Sequence, residues 1–379
     1  MDTSIQAPFE QALLSDFYQL TMAYAYWKAG ISQRKAAFHL FFRRPPFKGG
    51  FTVACGLDSV IEFIESFHFS ASDLEYLSSI KTQAGTPYFD EEFLSMLESL
   101  RLSVDVFGVE EGTSVFPYEP LLRIEGPLMQ GQLLESPLLN LLNFSTLIAT
   151  KASRICLAAQ DDPVVEFGLR RAQGRDGALT ASRACFVGGC TATSNVLAGK
   201  TYGIPVQGTI AHSWIMAFDD EEEAFMTYAH VLPDACVFLV DTYDTIEGVK
   251  KAVRVGQWLK SQGKKLLGVR LDSGDLAQLS IQTRKILDDA GFFDTEIIAS
   301  NELDEIVISE LKHQGAKISM WGVGTNLVTG KEFPALDGVY KLSAIQDANG
   351  EWQNTLKLSE QYVKISNPGR LQIKRFMFK

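Results

Sequence analysis

The 379-residue sequence lacks long apolar runs and has no run of basic residues longer than a pair. No run of about 18 apolar residues could span a bilayer, and the N-terminus lacks the basic start and apolar core of a signal peptide. Acidic residues outnumber basic ones, 46 to 35, and the formal net charge of −11 argues against nucleic acid or an anionic membrane as the main partner. We therefore expect a cytoplasmic protein with neither a nucleic-acid nor a membrane partner.

Cysteine is also scarce. The five cysteines lie in apolar stretches without nearby histidines. Cys185 and Cys190 are too loosely clustered for a zinc site. Buried thiols in a reducing compartment account for them, and no metal site built from protein ligands is expected.

The length and the 46% hydrophobic content allow a large domain that carries a smaller one. The first 150 residues mix helices with short strands separated by Gly and Pro, a pattern typical of an antiparallel sheet. The helices are predicted at 13–29, 57–67, 73–81 and 90–100, and the strands at 36–42, 104–107, 113–116 and 121–124.

A long helix over 133–159, bent near Pro137, is predicted to join the two domains. Strand-like pieces return at 339–342, 355–358 and 371–374, so residues 336–379 are expected to complete the first domain. The last piece runs almost to Lys379, and we expect the chain to stop inside its C-terminal region.

Residues 151–335 form the second predicted domain, in which short apolar runs alternate with helical stretches. Such alternation is typical of parallel strands joined by crossover helices. Every run ends in polar or glycine-rich sequence, as at the strand ends where a (β/α) barrel gathers its active site, whereas an open doubly wound sheet gathers its ligand groups near one switch point. The runs are 164–167, 205–206, 237–240, 266–269, 297–299 and 318–321.

Two strand ends carry candidate catalytic groups. His212 lies between two small residues, so its imidazole has room for a ligand or a phosphoryl group, although a histidine at a helix start that bonds a neighbour fits the pattern as well. Arg270 and Asp272 flank Leu271 and point to the same face of an extended strand. They are either a structural ion pair at the barrel rim or a functional pair.

Residues 322–326 read Gly-Val-Gly-Thr-Asn and follow a late strand. Gly322 and Gly324, with the hydroxyl of Thr325, would let backbone N–H groups approach a phosphate at a helix N-terminus, a favoured phosphate position in barrels. The segment is neither a Walker loop nor a dinucleotide fingerprint.

Six ordered blocks together resemble the nicotinate phosphoribosyltransferase family over essentially the whole chain, although family members generally continue beyond residues 367–369. The resemblance implies the type II phosphoribosyltransferase fold, an irregular α/β barrel (151–335) beside an open α/β sandwich (1–150 with 336–379). It also implies a homodimer with active sites at the subunit interface. The blocks are residues 15–22, 167–173, 193–200, 208–213, 268–275 and 322–325.

The implied reaction joins nicotinate to 5-phosphoribosyl 1-pyrophosphate and releases nicotinate mononucleotide and pyrophosphate. The resemblance further implies ATP as a co-substrate, coupled through a phosphohistidine at His212, and Mg²⁺ bound with the pyrophosphate or ATP. Tyr18 and Phe167 would stack on the pyridine ring, with Tyr18 supplied by the partner subunit. Thr209 and Arg270 would contact nicotinate.

Arg170 lies in one of the matching blocks and is a further candidate for substrate binding. Displacement of pyrophosphate builds positive charge on the ribose and negative charge on the leaving group, so the site must supply opposite fields. Asp272 would stabilise the cationic sugar, and Asp241 would place ribose or metal. Thr325 is the implied contact to a donor phosphate, and Ser300 and Asn301, at another strand end, are predicted to join it at phosphate or ribose.

Two other classes of protein remain open. One is a phosphoribosyltransferase that uses nicotinamide or quinolinate, and the other is a non-catalytic binding protein with the same barrel. The two carboxylates of quinolinate call for a denser basic cluster than the strand ends show. Nicotinamide-using relatives carry an acid in the segment that corresponds to residues 191–194, which here has hydroxyls and no acid. A binding protein has no use for both His212 and the phosphate segment.

Overall fold

The computed structural model describes residues 12–356 and 366–376. Its contacts divide the chain into two compact units, one comprising Met1–Leu147 with Ala335–Lys379 and the other Ile148–Pro334. Over the described residues, no helix is long and apolar enough to cross a membrane.

The first unit begins with helices and short strands and leads into a long helix. The elements are α1 (Phe17–Lys28), β1 (Lys35–Phe42), a 3-10 helix (Pro46–Lys48), β2 (Thr52–Val53), α2 (Leu57–Ser66), α3 (Ala71–Ser79), α4 (Glu91–Ser99), β3 (Asp105–Gly108), β4 (Ser114–Val115), β5 (Leu122–Pro127), α5 (Leu128–Leu133) and α6 (Glu135–Ala159).

The second unit alternates strands with helices. Its elements are β6 (Val164–Glu166), a 3-10 helix (Leu169–Arg171), α7 (Gly174–Val187), β7 (Ala192–Thr193), α8 (Val196–Tyr202), α9 (His212–Met216), α10 (Glu221–Val231), β8 (Val237–Leu239), α11 (Thr245–Ser261), β9 (Gly268–Leu271), α12 (Leu276–Asp289), β10 (Glu296–Ala299), α13 (Glu305–His313), β11 (Met320–Val323) and α14 (Thr325–Val328). The chain then returns to the first unit with β12 (Gly338–Gln346) and β13 (Trp352–Asn354).

The first unit contains an antiparallel sheet of order β13-β12-β1-β5-β3, and β2 and β4 form a separate pair. Seven of the eight residues of the central strand β1 are buried. Phe38 of β1 stacks on Tyr340 of β12, with ring centroids 4.9 Å apart. The buried Tyr340 hydroxyl donates to the Gly131 carbonyl at 2.8 Å, so both its ring and its polar end are satisfied.

The helix predicted over 133–159 is confirmed as α6, which begins two residues later at Glu135, after Leu134 separates it from α5. Pro137 lies in the first turn of α6, where its missing N–H costs no helical hydrogen bond, so it does not bend the helix interior. The strand predicted at 371–374 is wrong, since those residues form no strand. Of the piece predicted at 355–358, residues 355 and 356 lie beyond the end of β13, and 357 and 358 lie outside the described residues.

The second unit contains a six-stranded parallel sheet of order β7-β6-β11-β10-β9-β8. Strands that follow one another along the chain are neighbours except β7 and β8, which lie at the two ends of the order, and the last strand, β11, pairs with the first, β6. Beyond β7, Val206 adds a single parallel bridge to Thr193, so one seam, between Val206 and β8, separates the two ends of this cyclic order.

This cyclic order is that of a barrel, whereas a doubly wound sheet reverses direction at a switch point. The predicted α/β class with a parallel barrel is therefore confirmed, in an irregular form that is open at one seam. The run at 205–206 contributes only its one bridge, and β7, which the sequence pattern did not indicate, supplies the sixth strand.

Candidate active site

Arg270 is the centre of the polar side chains at the carboxyl ends of the barrel strands. From β9 its Nε donates to Ser300 Oγ at 2.7 Å, Nη1 to Thr209 Oγ1 at 3.0 Å and Nη2 to Asp272 Oδ1 at 2.8 Å. These bonds use three of the five guanidinium N–H groups. Arg270 is thus a positioned cation that keeps donors for an anionic ligand.

Asp272 connects Arg270 to the imidazole of His212. Its Oδ1 also accepts from Ser300 Oγ, and its Oδ2 lies 3.8 Å from His212 Nε2. Burial raises the pKa of Asp272, but the hydrogen bond from Ser300 and the charge of Arg270 outweigh burial, so the pKa lies below its ordinary value. Asp272 is therefore ionised at neutral pH.

His212 is the first residue of α9, and its Nδ1 lies 3.1 Å from the Thr242 hydroxyl, just beyond β8. This contact and the Arg270–Thr209 bond both cross the seam of the barrel. The His212 side chain is 40% exposed, so its imidazole is open to a ligand.

Asp241, at the end of β8, ties its strand to the end of β9. Its Oδ2 accepts from the backbone N–H of Asp272 at 2.8 Å and from Ser273 Oγ at 2.6 Å. Its Oδ1 is buried without a hydrogen-bond partner in the described structure. A buried unpaired carboxylate oxygen is costly, which makes it a candidate ligand for a cation.

Phe167 packs its ring against the glycine-rich segment. A Cβ at Gly322 would lie 2.5 Å from Phe167 Cε2, and one at Gly324 would lie 3.1 Å from the Phe167 carbonyl oxygen, so the close approach favours glycine at both positions. The half-buried ring centroid is 5.6 Å from Arg270 Cζ, within cation–π range. An aromatic face and a guanidinium thus lie side by side.

Asn326 connects the predicted phosphate segment to the loop that follows β10. Its Nδ2 donates to the carbonyls of Glu302 (2.9 Å) and Leu303 (3.1 Å) in that loop. Thr325 begins α14, and the exposed Asn301 has a positive φ of 98°. These residues therefore lie at the ends of the adjacent strands β10 and β11.

Three predicted site residues lie differently from the rest. Ser300 is only 3% exposed, and its hydroxyl accepts from Arg270 and donates to Asp272. Tyr18 lies on α1 of the first unit and is 48% exposed, and Arg170 lies exposed in the 3-10 helix after β6. Their assigned roles stay predictions.

Sequence reasoning missed Glu166, which is 1% exposed at the end of β6. Its Oε1 accepts from the Gly168 N–H, and its Oε2 accepts from Ser182 Oγ at 2.9 Å and Thr193 Oγ1 at 2.5 Å. The signal was an acid inside the apolar run 164–167. Segment 191–194 thus has no acid of its own but contacts one.

That contact uses one of the three hydroxyls in the segment, and Thr191 donates its own to the Val164 carbonyl at 3.2 Å. Only Ser194 keeps a hydroxyl with no hydrogen bond to the part of the chain that the structure describes. A ligand at this edge would meet Ser194 rather than all three.

The carboxyl ends of the barrel strands therefore combine an anchored cation, an aromatic face, an ionised carboxylate and an open imidazole. Such a set suits a flat aromatic anion, next to a centre where positive charge develops. Residues 12–356 and 366–376 hold no group of three or more His, Cys, Asp or Glu side chains that could bind a metal by themselves.

Two family models match the chain. The model of the nicotinate phosphoribosyltransferase N-terminal domain matches residues 13–143, and that of the nicotinate phosphoribosyltransferase family matches residues 163–358. The nicotinate phosphoribosyltransferase of Bacillus subtilis is 47% identical over 369 residues, which cover 97% of this chain and 73% of the relative. The human enzyme of that name is 36% identical over 413 residues, covering 94% and 75%.

Solved structures of related proteins have the same fold. The crystal structure of human nicotinic acid phosphoribosyltransferase is similar with a TM-score of 0.77 and 35% identity, over 87% of this chain and 74% of that chain. The nicotinate-nucleotide pyrophosphorylase of Pyrococcus furiosus has a TM-score of 0.69 at 23% identity, over 94% and 86%, and shows the shared fold alone.

Proposed function

The chain belongs to the nicotinate phosphoribosyltransferase family and is an enzyme of NAD biosynthesis that makes nicotinate mononucleotide from nicotinate; we propose that the side chains around Arg270 carry out this reaction. The second substrate is 5-phosphoribosyl 1-pyrophosphate, and pyrophosphate is the other product. We further propose that ATP is a co-substrate, coupled through phosphorylation of His212.

The observation that carries the proposal is the anchoring of Arg270 beside the ring of Phe167. Nicotinate is a flat, electron-poor ring with one carboxylate. The N–H groups of Arg270 that make no hydrogen bond within residues 12–356 and 366–376 can donate charge-assisted bonds to that carboxylate, while Phe167 stacks on the ring. Because Thr209, Ser300 and Asp272 already hold the guanidinium, little side-chain entropy is lost when nicotinate binds.

Bond breaking at the ribose C1 leaves positive charge on the sugar. Asp272, kept ionised by Ser300 and Arg270, supplies the opposite field without reorganising. The leaving pyrophosphate carries the negative charge, and the backbone N–H groups around Gly324 and Thr325 are suited to its oxygens.

Mg²⁺ bound with pyrophosphate or ATP is part of the proposal. Asp241, with one buried and unpaired oxygen in the described structure, fits as a single carboxylate ligand, and phosphate oxygens and water would complete the shell. When bound, the ion would neutralise the leaving group.

His212 is suited to the ATP-coupled step because a neutral imidazole nitrogen is a competent nucleophile near pH 7. Attack on the γ-phosphorus forms an N–P bond as the bond to the β-phosphate oxygen breaks, and ADP leaves. The added negative charge would arise close to Asp272, 3.8 Å from Nε2. Repulsion between the phosphohistidine and Asp272 would rearrange the residues at the seam, and hydrolysis of the phosphohistidine would restore their first arrangement.

We also propose a homodimer with shared active sites, in which Tyr18 of one subunit stacks on nicotinate bound by the other. The support is the exposed position of Tyr18 on α1, in the unit that does not contain Arg270.

The test is incubation of the full chain with labelled nicotinate and 5-phosphoribosyl 1-pyrophosphate, with and without ATP. We expect labelled nicotinate mononucleotide and pyrophosphate in equal amounts, with a higher yield when ATP is present. Quinolinate in place of nicotinate should give no product, because Arg270 provides one cation for two carboxylates. No product from nicotinate under either condition would overturn the proposal.

A further inference from the structure

Glu166 is a buried carboxyl group for which the reaction above has no use. Its partners are neutral donors, the N–H of Gly168 and the hydroxyls of Ser182 and Thr193, and Ser182 shares its proton with the Ala178 carbonyl at 3.0 Å. Among the described residues no lysine or arginine forms an ion pair with it. A buried carboxylate without a cation is costly, so a role in geometry explains it better than one in stability.

The bonds of Glu166 join three separate segments. Gly168 directly follows Phe167, so the bond to Oε1 fixes the peptide that carries the stacking ring. Ser182 lies on α7, and Thr193 is the last residue of β7.

The same bonds set the direction of a hydrogen-bond chain. Because carboxylate and carbonyl oxygens only accept, the Thr193 hydroxyl proton points toward Glu166 and the Ser182 proton points toward Glu166 and the Ala178 carbonyl, so both hydroxyl oxygens are left to accept. Both accept from Asn195, through Nδ2 at 3.1 Å and the backbone N–H at 3.0 Å. The remaining amide oxygen of Asn195 accepts from the Ala198 N–H at 3.3 Å and caps α8.

Ser194 lies between Thr193 and Asn195, which are both held by these hydrogen bonds. Its backbone N–H donates to the Glu166 carbonyl at 2.9 Å, while its hydroxyl has no hydrogen bond within the described structure. The backbone of Ser194 is thus fixed, and its hydroxyl is left for a ligand.

We propose that Glu166 is a positioning residue that holds the Phe167 ring and the Ser194 hydroxyl at a fixed separation, so that they close on the ring and the carboxylate of nicotinate. The inference rests on the proposed function and adds a determinant of nicotinate affinity that lies beneath the site.

The test is Glu166→Gln. Glutamine keeps the shape, but its Nε2 must find acceptors where Oε2 met donors, so the hydroxyls turn and the chain to Asn195 breaks. We expect the KM for nicotinate to rise about ten- to hundred-fold, as misplaced site groups typically cause. The KM for 5-phosphoribosyl 1-pyrophosphate should stay unchanged, and kcat should fall less than the nicotinate KM rises.

Asp162→Asn is the matched control at the opposite end of the same strand. Asp162 accepts from Trp321 Nε1 at 3.0 Å and pairs with Lys312 at 2.7 Å. This variant should lose thermal stability without any change in the nicotinate KM.

A folded Glu166→Gln enzyme with the unmutated nicotinate KM would overturn the inference. If that variant does not fold, Ser182→Ala decides, because it removes one donor and leaves the Asn195 amide without its acceptor. Ser182→Ala must raise the nicotinate KM, and an unmutated value would overturn the inference. Failure of the proposed function is distinct, because the unmutated chain would then not turn over nicotinate.

Discussion

Nε2 of His212 lies 3.8 Å from Oδ2 of Asp272, and Nδ1 of the same ring lies 3.1 Å from the Thr242 hydroxyl, so the imidazole spans the barrel seam. Because His212 follows the Val206 bridge and Thr242 follows β8, a charge change on the ring acts on both edges of the seam.

The first prediction is that His212 takes up the γ-phosphoryl group of ATP. Incubation with γ-labelled ATP should give acid-labile, base-stable label on the protein, and His212→Ala should take up none. His230→Ala is the matched control, since His230 packs on Trp258 with ring centroids 4.3 Å apart and should not affect labelling. Equal label on His212→Ala would refute the assignment.

The second prediction concerns Arg270→Lys. A lysine keeps the charge but cannot reproduce the three hydrogen bonds that the planar guanidinium donates to Thr209, Ser300 and Asp272. Loss of one partner in a buried charged hydrogen bond costs roughly 2–5 kcal/mol. We therefore expect kcat/KM for nicotinate to fall by about thirty-fold to a few thousand-fold.

Arg284→Lys is its control. Arg284 on α12 donates to Asp288 and to the carbonyls of Phe292 and Thr295, so its loss should lower stability and leave kcat/KM unchanged. Equal losses of kcat/KM in both variants would show that the Arg270 effect is structural.

Much of the site was predictable because strand direction carries it. Arg270 and Asp272, two residues apart in an extended strand, share a face and form the expected pair at 2.8 Å. The first residue of a helix is harder to predict. The sequence Ser72-x-x-Glu75 predicts a capping box, but the box is Ser70 with Asp73, because the same pattern recurs two residues earlier and local sequence does not rank the two.

What the sequence could not predict depends on distant partners. Residues 371–374 alternate like a strand, yet the Leu371 N–H donates to His39 Nε2 and the Leu371 carbonyl accepts from Arg123, so side chains take the place of a neighbouring strand. Glu166 likewise gains its role only when Ser182 and Thr193 meet it in the folded barrel.

The third prediction is a pH-dependent stability from His39. Burial, then the charge of Arg123, lowers the pKa of His39 to about 4 in the folded state, against 6.5 ordinarily. The unfolded state therefore binds more protons between these two pKa values. The contribution of His39 to the free energy of unfolding is fully present above pH 6.5 and is lost as the pH drops toward 4. The shift corresponds to about 3 kcal/mol of unfolding free energy.

Urea unfolding of the unmutated protein and of His39→Gln at pH 7 and pH 4.5 checks this. Glutamine can still accept from the Leu371 N–H but does not titrate. The unmutated protein should lose about 2 to 3 kcal/mol more than the variant between the two pH values. Identical losses would assign the acid sensitivity to other groups.

The fourth prediction is complementation between subunits. Tyr18→Ala and His212→Ala homodimers should both be impaired, and mixed dimers should regain part of the activity, because each contains one site with both residues intact. If subunit exchange is demonstrated and no activity returns, Tyr18 acts in its own subunit or only in packing.

The fifth prediction is that Ser194 helps select nicotinate over nicotinamide. Its hydroxyl, which has no hydrogen bond to the described part of the chain, can donate to a carboxylate, whereas an acid at this position would repel a carboxylate and accept from an amide. Ser194→Asp should therefore narrow the preference, mainly by raising the nicotinate KM. An unchanged preference in a folded variant would remove Ser194 from substrate selection.

The central claim is that the Arg270 site is built for the nicotinate carboxylate, and direct competition between nicotinate and nicotinamide in the unmutated enzyme tests it most directly. A neutral amide forgoes the charge-assisted bond to Arg270, so kcat/KM for nicotinate should exceed that for nicotinamide by at least about a hundred-fold. Comparable kcat/KM values for the two substrates would contradict the account.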